Sequence, residues 1–202
     1  MEHPRLALMA LLFVLVLVVG GCARAVARQE DIRETLIQAG LSPRKVLCDP
    51  DGSCALDLSE SGLRDLSPLR GLPVTSLDLH KTQVSDLSPL KGLPLRTLVL
   101  CKSQVSDLSP LTGLALTTLK MSETGVRDLT PLRGMPLKTL WIQGAQVTDL
   151  SPLSGMPLKE LRFSPERIAA GMDVVREMPT LVWINQIPAA TFRSRFWTSG
   201  KS

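Results

Sequence analysis

Aromatic residues and histidine are scarce in this chain of 202 residues. Tyrosine is absent, aromatic residues make up 3% of the sequence, and the two histidines are His3 and His80. A metal site built from several histidines is therefore excluded, because we expect the segment that holds His3 to be removed. Hydrophobic residues still make up 44% of the sequence, since leucine fills the positions that aromatic residues occupy in an ordinary mixed core. This composition favours a repeat array.

Charge of one sign is not concentrated in any part of the sequence either. The net charge is +4, and lysine and arginine are interspersed with aspartate along the chain. A nucleic-acid-binding protein usually shows a concentrated basic face with aromatic residues between the basic ones. A solvated surface explains this pattern better than nucleic-acid binding does.

A block of about 21 residues recurs five times between Leu63 and Leu161. One copy reads VSDLSPLKGLPLRTLVLCKSQ from Val84, and the next reads VSDLSPLTGLALTTLKMSETG from Val105. A period this regular indicates one supersecondary unit stacked along an axis. We therefore expect function to lie on an extended surface and not in a catalytic pocket.

Each copy of the repeat predicts a strand followed by a turn. The LxxLxL segment, as at Leu95, Leu98 and Leu100, predicts a short strand with its leucines turned inward, so that stacked copies form a parallel sheet. In the DLSPL segment we expect Ser88 or Ser109 to cap a short helical turn whose first residue is proline. The predicted coil has a strand on one side and a helical turn on the other.

The repeats resemble the leucine-rich repeat pattern LxxLxLxxNxL over roughly residues 54–185. Thr, Ser or Ala stands at the usual Asn position, at Ser61, Thr82, Ser103, Thr124 and Ala145. The DLSPL turn resembles the repeats of bacterial internalin-like and cell-surface proteins, and is similar to arrays found beside bacterial serine/threonine kinases. The resemblance implies an α/β solenoid with a parallel sheet on the concave face, short helical turns on the convex face, and helical caps at both ends. It also implies a non-enzymatic protein-binding module.

The kinase part of that resemblance does not carry over to this chain. The glycine-rich loop, the strand lysine and the HRD and DFG segments of a kinase are missing from the sequence. We therefore predict no catalytic residues, no metal ligands and no cofactor.

The N-terminus predicts export and a lipid anchor. An apolar run from Leu6 to Val19 follows Arg5 and leads to VGGC, which ends at Cys22. The run is too short to span a bilayer comfortably, and VGGC resembles the lipobox of bacterial lipoproteins. This resemblance implies a signal peptide over residues 1–21 and lipidation of Cys22, and Ala23 resembles lipoproteins sent on to an outer membrane. The predicted location is the periplasmic face of the cell envelope, and an uncleaved membrane anchor is the alternative.

The flanks of the array predict caps. Residues 22–54 are predicted as a linker and N-terminal cap, with a helix over Gln29–Ala39 whose apolar side carries Ile32, Leu36 and Ile37. The repeats are assigned to residues 55–163, and the C-terminal cap and tail to residues 164–202.

The C-terminal segment predicts a helix, a strand and a covering tail. Ser164 and Pro165 form an N-cap and first-turn pair, so we expect a longer helix after them. Its apolar side would carry Ile168, Met172, Val175 and Met178. Leu181–Ile184 predicts a last strand. The aromatic tail with Phe192, Phe196 and Trp197 is predicted to fold back over the array, and a membrane-touching tail is the alternative.

Export would place the remaining cysteines in an oxidising compartment. Cys48 and Cys54 flank DPDGS, a strong turn sequence, and we predict a disulfide between them in preference to a metal site. Cys101 is left unpaired, as a small side chain beside a strand.

The outward positions of the predicted strands are the candidate binding site. They form one column of Asp57, Asp78, Val99, Lys120, Trp141 and Arg162, and a neighbouring column of Ser59, His80, Cys101, Ser122, Gln143 and Ser164. We predict that a protein partner contacts Asp78, His80, Val99, Lys120, Trp141, Gln143 and Arg162.

Trp141 is the strongest single anchor among these residues, because tryptophan often dominates interfaces. In the alternative, Trp141 only packs on Lys120 or Arg162. A glycan or peptidoglycan ligand, or a role as regulatory subunit of an envelope enzyme or kinase, remains open.

Two further patterns have a chemical and a structural interpretation. An aspartate stands two residues before the Ser or Thr of each turn, at Asp65, Asp86, Asp107, Asp128 and Asp149. We predict that these carboxylates accept amide hydrogens in their own turns, in preference to binding calcium.

His80 and Cys101 would lie on neighbouring strands, but an open sheet offers no oxyanion hole for a cysteine nucleophile.

Overall fold

Each repeat forms one coil, with a short strand on one side and a single turn of 3-10 helix on the other. The computed structural model describes residues 26–197. The strands are β1 (Lys45–Cys48), β2 (Cys54–Asp57), β3 (Val74–Asp78), β4 (Thr97–Val99), β5 (Thr118–Lys120), β6 (Thr139–Trp141), β7 (Glu160–Arg162), β8 (Trp183–Ile184) and β9 (Ile187–Pro188). The helices are α1 (26–38), α2 (Met172–Glu177) and α3 (Ala189–Trp197). The 3-10 turns are Ser67–Leu69, Ser88–Leu90, Ser109–Leu111, Thr130–Leu132, Ser151–Leu153 and Pro165–Arg167.

The strands lie side by side in one sheet, in the order of the sequence. Neighbours from β2 to β8 are parallel, whereas β1 with β2 and β8 with β9 are antiparallel. The register advances by one repeat from strand to strand, so that Leu98 pairs with Leu77 on one side and with Leu119 on the other. The predicted α/β solenoid with its parallel sheet, short helical turns and terminal helices is confirmed.

The interior of the solenoid is a stack of leucine columns. Leu98, Leu119 and Leu140 follow one another across the sheet and are fully buried, and Leu90 and Leu111 meet them from the turns, also fully buried. Burying a leucine side chain contributes about 1.5–3 kcal/mol. Each coil therefore depends on its two neighbours to cover its apolar surface.

The aspartate of each turn accepts a hydrogen bond from the backbone amide two residues later. Asp86 Oδ1 accepts from the Ser88 amide at 2.8 Å. The same bond recurs from Ser67 to Asp65, Ser109 to Asp107, Thr130 to Asp128 and Ser151 to Asp149, at 2.7–2.8 Å. The predicted structural role of these aspartates is confirmed.

The prediction that Ser88 or Ser109 caps the turn is wrong. Each serine is the first residue of its 3-10 turn, and the preceding Leu87 or Leu108 occupies the N-cap position without a side-chain hydrogen bond. The carboxylate one residue further upstream already supplies the acceptor, so the turn needs no serine cap.

The aspartate bonds predict a stability that depends on pH. Hydrogen bonds from the side chain and amide of Ser109 hold the pKa of Asp107 below its usual value of 3.8, and the equivalent bonds lower the pKa of Asp65, Asp86, Asp128 and Asp149. A lowered folded-state pKa stabilises the fold above the unfolded value, and this stabilisation is lost as pH falls through the folded value. We expect the urea concentration at the midpoint of unfolding to decrease as the pH is lowered below about 4.

A variant with all five aspartates replaced by asparagine provides the control, because asparagine keeps an oxygen acceptor but does not titrate. Its urea midpoint should fall less steeply with pH than that of the wild type. An equal fall in both proteins would show that other carboxylates cause the acid sensitivity.

Hydroxyl side chains hold the loops that follow β2, β3 and β5. Thr82 Oγ1 donates to the Leu79 carbonyl at 2.8 Å, and Thr124 Oγ1 donates to the Met121 carbonyl at 2.8 Å. Both threonines are buried. A hydroxyl at the usual Asn position of the repeat therefore replaces one of the hydrogen bonds that an amide would make.

The N-terminal end is closed by α1 and a disulfide-linked hairpin. Ile32 and Leu36 are buried, but Ile37 is 56% exposed, so the prediction that Ile37 lies on the packed side is wrong. One residue turns a helix by about 100°, which carries Ile37 away from the face of Leu36. The predicted disulfide joins Cys48 to Cys54, which face each other across the β1–β2 hairpin.

The predicted continuous helix after Ser164 is wrong. Only Pro165–Arg167 forms a helical turn, and α2 begins at Met172. Between them Ala170 forms a parallel bridge with Asp149, and its carbonyl accepts from the Leu150 amide at 3.0 Å. These backbone groups pair with the last coil and are therefore not available to a helix.

The C-terminal tail folds back over the last coil, as predicted. Phe192 of α3 is 1% exposed and its ring lies 5.9 Å from that of Phe163, centroid to centroid. Phe196 stacks on Phe192 at 4.2 Å and remains 49% exposed. The tail therefore closes the apolar end of the array and leaves one aromatic ring at the surface.

Residues 26–197 contain no helix that is both long and apolar enough to cross a membrane. The predicted signal peptide, Cys22 and Ala23 lie outside the described residues, so the lipid anchor and the boundary at residue 21 stay predictions.

Candidate functional site

The outward side chains of β2 to β8 form a continuous surface, which we call the sheet face. The pairing aligns Asp57 with Asp78, Asp78 with Val99, Val99 with Lys120, Lys120 with Trp141 and Trp141 with Arg162. This central column has the order expected from the repeat. All of its side chains are half-buried.

Trp141 is held between two cations. Lys120 Nζ lies 3.9 Å and Arg162 Cζ lies 3.7 Å from the centroid of the ring. Because β5 and β7 flank β6, the two cations reach the ring from the two strands beside it. A cation over a tryptophan ring contributes about 0.5–2 kcal/mol, depending on desolvation.

Glu160 fixes the orientation of both neighbours. Its Oε1 accepts from Trp141 Nε1 at 3.1 Å and from Arg162 Nε at 2.8 Å. The side chains of Glu160 and Arg162 are 25% and 22% exposed, so water screens this ion pair less than a surface pair. We name Lys120, Trp141, Glu160 and Arg162 the Trp141 cluster.

The Trp141 cluster is organised before any ligand arrives. Immobilising a mobile side chain on binding costs about 0.5–1.5 kcal/mol, and the contacts on Trp141 and Arg162 have already met this cost. The cluster holds two cations and one carboxylate, and so has a net positive charge. It offers a rigid aromatic anchor together with positive charge.

Glu160 and Trp183 were missed by the sequence interpretation. They belong to a second outward column of Ser76, Thr97, Thr118, Thr139, Glu160 and Trp183, which stands two residues before the central one. Trp183 is 46% exposed and pairs with Glu160. The strict alternation of side chains along a strand was the signal that could have identified this column.

The predicted site residues do not all meet in one place. Asp78 and Val99 lie on β3 and β4, and the His80 amide donates to Asp78 Oδ1 at 2.9 Å. The Gln143 carbonyl accepts from the Glu123 amide of the preceding coil at 2.8 Å. Lys120, Trp141 and Arg162 form the compact part of the set, and the role of every residue in partner binding stays a prediction.

His80 and Cys101 have no geometry that supports a nucleophile. The part of the chain that the structure describes has no hydrogen bond between their side chains. Burial raises the pKa of the Cys101 thiol, which disfavours the reactive thiolate. Within residues 26–197, no group of three or more His, Cys, Asp or Glu side chains is placed to hold a metal ion.

A stack of strand-and-turn coils with regular leucine spacing and capped ends defines the leucine-rich repeat class of solenoid proteins. No protein-family model and no curated protein matches the chain. Solved structures do match, and the chain is similar to two internalins of the bacterium Listeria monocytogenes. The chain has the leucine-rich repeat fold of these proteins.

The internalin inlF is 30% identical, with a TM-score of 0.56 over 65% of this chain and 40% of its own length. The internalin C2, inlC2, is 27% identical, with a TM-score of 0.52 over 63% of this chain and 68% of its own. This chain therefore spans less than half of the length of inlF.

Proposed function

We propose that this chain is a non-enzymatic binding module of the bacterial cell envelope, held by a lipid on Cys22, which binds a protein partner through the sheet face. The Trp141 cluster is the observation that carries the proposal. A tryptophan that is rigidly held in the central column of a half-buried sheet surface is the kind of residue that dominates protein interfaces. The likeness to two bacterial internalins supports an interaction module in place of an enzyme.

The disulfide supports the envelope as the location. Disulfides persist in exported proteins and are rare in the cytosol. Cys48 and Cys54 form such a bond within the first hairpin of the fold. Together with the lipobox-like VGGC, this pairing favours an exported and lipid-anchored protein.

The arrangement of Trp141 favours a protein partner over a sugar. Sugars stack on the open face of an aromatic ring, but Lys120 and Arg162 both already lie over this ring, 3.9 Å and 3.7 Å from its centroid. A glycan that stacks where a cation lies would have to displace that cation. A protein partner can use the edge of the ring and the two positive charges without this displacement.

The proposed anchor predicts a change in lipid labelling. Replacing Cys22 with serine removes the thiol that would carry the lipid, so metabolic labelling with palmitate should be lost and the protein should leave the membrane fraction. Cys101→Ser is the matched control, because it removes a thiol of the folded array. Retained label in Cys22→Ser would contradict the anchor.

The proposed binding face is tested by photo-crosslinking in cells. A photoreactive amino acid at Thr139 lies on the sheet face next to Trp141, and the same probe at Thr112 lies at the exposed end of a turn on the opposite wall. We expect a partner to crosslink at Thr139 and not at Thr112. With that partner purified, Trp141→Ala should weaken binding about 10- to 100-fold. Crosslinks from Thr112 alone would contradict the proposed face.

A further inference from the structure

Charge on the sheet face is separated along the axis of the solenoid. Asp57 and Asp78 lie on neighbouring strands at the N-terminal end of the central column, and Lys120 and Arg162 lie toward the other end, with Val99 between the two groups. Strands in a sheet are spaced about 4.8 Å apart, which places Asp57 and Arg162 about 24 Å apart. The face is therefore acidic at one end and basic and aromatic at the other.

Neighbouring side chains leave most of this charge uncompensated. Within the described part of the chain, Asp57 and Asp78 form no ion pair, and Lys120 has no carboxylate within ion-pair distance. Charged side chains at the rim of the sheet instead pair with one another, as Glu60 does with Arg44 and Lys81, and Lys102 with Glu123. Of the four charged side chains in the central column, Arg162 pairs with Glu160, and Asp57, Asp78 and Lys120 have no ion-pair partner among the described residues.

The dimensions of the face limit what can occupy it. Strands of three residues are about 10 Å long, so the charged part of the face, from Asp57 to Arg162, covers about 240 Å² over its 24 Å length. A stable interface between two globular surfaces needs about 800 Å² from each partner. An α-helix is about 10 Å across and spans 24 Å in about 16 residues. A single elongated segment fits this face better than a second copy of the chain does.

We propose that the sheet face binds an elongated segment of a protein partner whose charge order is opposite to its own. The segment is basic where it lies over Asp57 and Asp78, apolar over Val99, and acidic over Lys120 and Arg162. This inference rests on the proposed function and adds the chemistry of the partner to it. Like charges placed opposite each other oppose binding, so the order of charges on the segment selects the partner.

Two synthetic peptides of about 18 residues test the charge order. Both are alanine-based helices of identical composition. In the block peptide the lysines fill one half and the glutamates the other, and in the alternating peptide the two types alternate. The direction of the peptide chain does not matter, because the lysine half of the block peptide can lie over the aspartates in either orientation. The block and alternating peptides therefore differ only in whether their charges are separated. We expect the soluble chain without its signal to bind the block peptide about tenfold more tightly at low ionic strength, and the preference to shrink as salt is added.

A charge-reversal variant makes the test sharper. Asp57→Lys with Asp78→Lys makes the whole central column positive, so this variant should prefer an all-glutamate peptide of the same length to the block peptide. Asp57→Asn with Asp78→Asn is the matched control, which should lose the preference for the block peptide without reversing it. Circular dichroism and the unfolding midpoint identify any variant that fails to fold. If the lysine pair does not fold, the comparison of the asparagine pair with the wild type tests the inference.

The possible outcomes separate the two proposals. Equal binding of the block and alternating peptides to the wild type, or no binding of either at the highest soluble concentration, overturns the charge-order inference. Self-association in the ultracentrifuge that the lysine pair abolishes also overturns it, because a second copy then covers the face. A partner that crosslinks at Thr139 while the peptides show no preference leaves the proposed function intact.

Discussion

Replacing Gly171 with alanine should destabilise the protein by about 3–5 kcal/mol. Gly171 connects the Asp149–Ala170 bridge to α2, with φ +78°, and a β-carbon there would lie 2.3 Å from the Ser151 amide nitrogen and 2.6 Å from the Leu150 carbonyl carbon. The obstructing atoms are backbone, so no side chain can rotate away. In the alanine variant the C-terminal cap must therefore move away from the last coil, which exposes the apolar surface below it to water.

Gly155→Ala is the matched control. Gly155 has φ +73°, nearly the same left-handed conformation, but a β-carbon there meets nothing within 4 Å. Its replacement should therefore cost only the conformational penalty of about 1–2 kcal/mol. Urea unfolding followed by circular dichroism gives the free energy of unfolding for both. Equal losses would show that the approach to Ser151 is not as close as the structure gives it.

Leu119→Ala should cost about 3–5 kcal/mol. Leu119 is fully buried at the centre of the sheet, where it contacts the leucine columns of both neighbouring coils through its pairing with Leu98 and Leu140. Truncation removes apolar contacts and leaves a cavity that a stack of regular coils cannot readily collapse. Because a solenoid is stabilised by contacts between neighbours, a defect in the middle weakens both halves.

Thr118→Ala serves as the control for Leu119→Ala, since Thr118 is adjacent in the same strand but lies on the sheet face and is half-buried. We expect this change to alter the free energy of unfolding by less than about 1 kcal/mol. If Leu119→Ala broadens or splits the urea transition, the two halves of the array unfold separately. Similar losses for both variants would argue against the assigned interior of the coil.

The sequence predicted whatever the repeat specifies locally. The spacing of Leu77, Leu98 and Leu119 sets the strand register without reference to distant residues, and the DPDGS turn brings Cys48 and Cys54 opposite each other. These features depend on periodicity and on turn chemistry within a few residues. Local pattern is therefore sufficient to predict them.

Features that depend on the meeting of different coils could not be predicted in this way. The helical spacing after Ser164 did not reveal that the backbone at Ala170 pairs with the last coil, which interrupts the helix. Nor did the repeat indicate that Glu160 reaches the ring nitrogen of Trp141, since this bond joins side chains from two outward columns. Such contacts depend on side-chain rotamers and on three-dimensional proximity, which the aligned repeat sequences do not specify.

The offset of 21 residues between equivalent positions of adjacent strands from β3 to β7 gives the array a modular length. Duplicating the segment that encodes Val105–Gly125 would add one complete coil and preserve the leucine columns, whereas an insertion that is not a multiple of 21 residues would break them. Each added coil would also move Asp78 about 4.8 Å further from Trp141. Recombination within the gene would thus lengthen or shorten the reach of the protein in fixed steps, with no new fold and no change to either end.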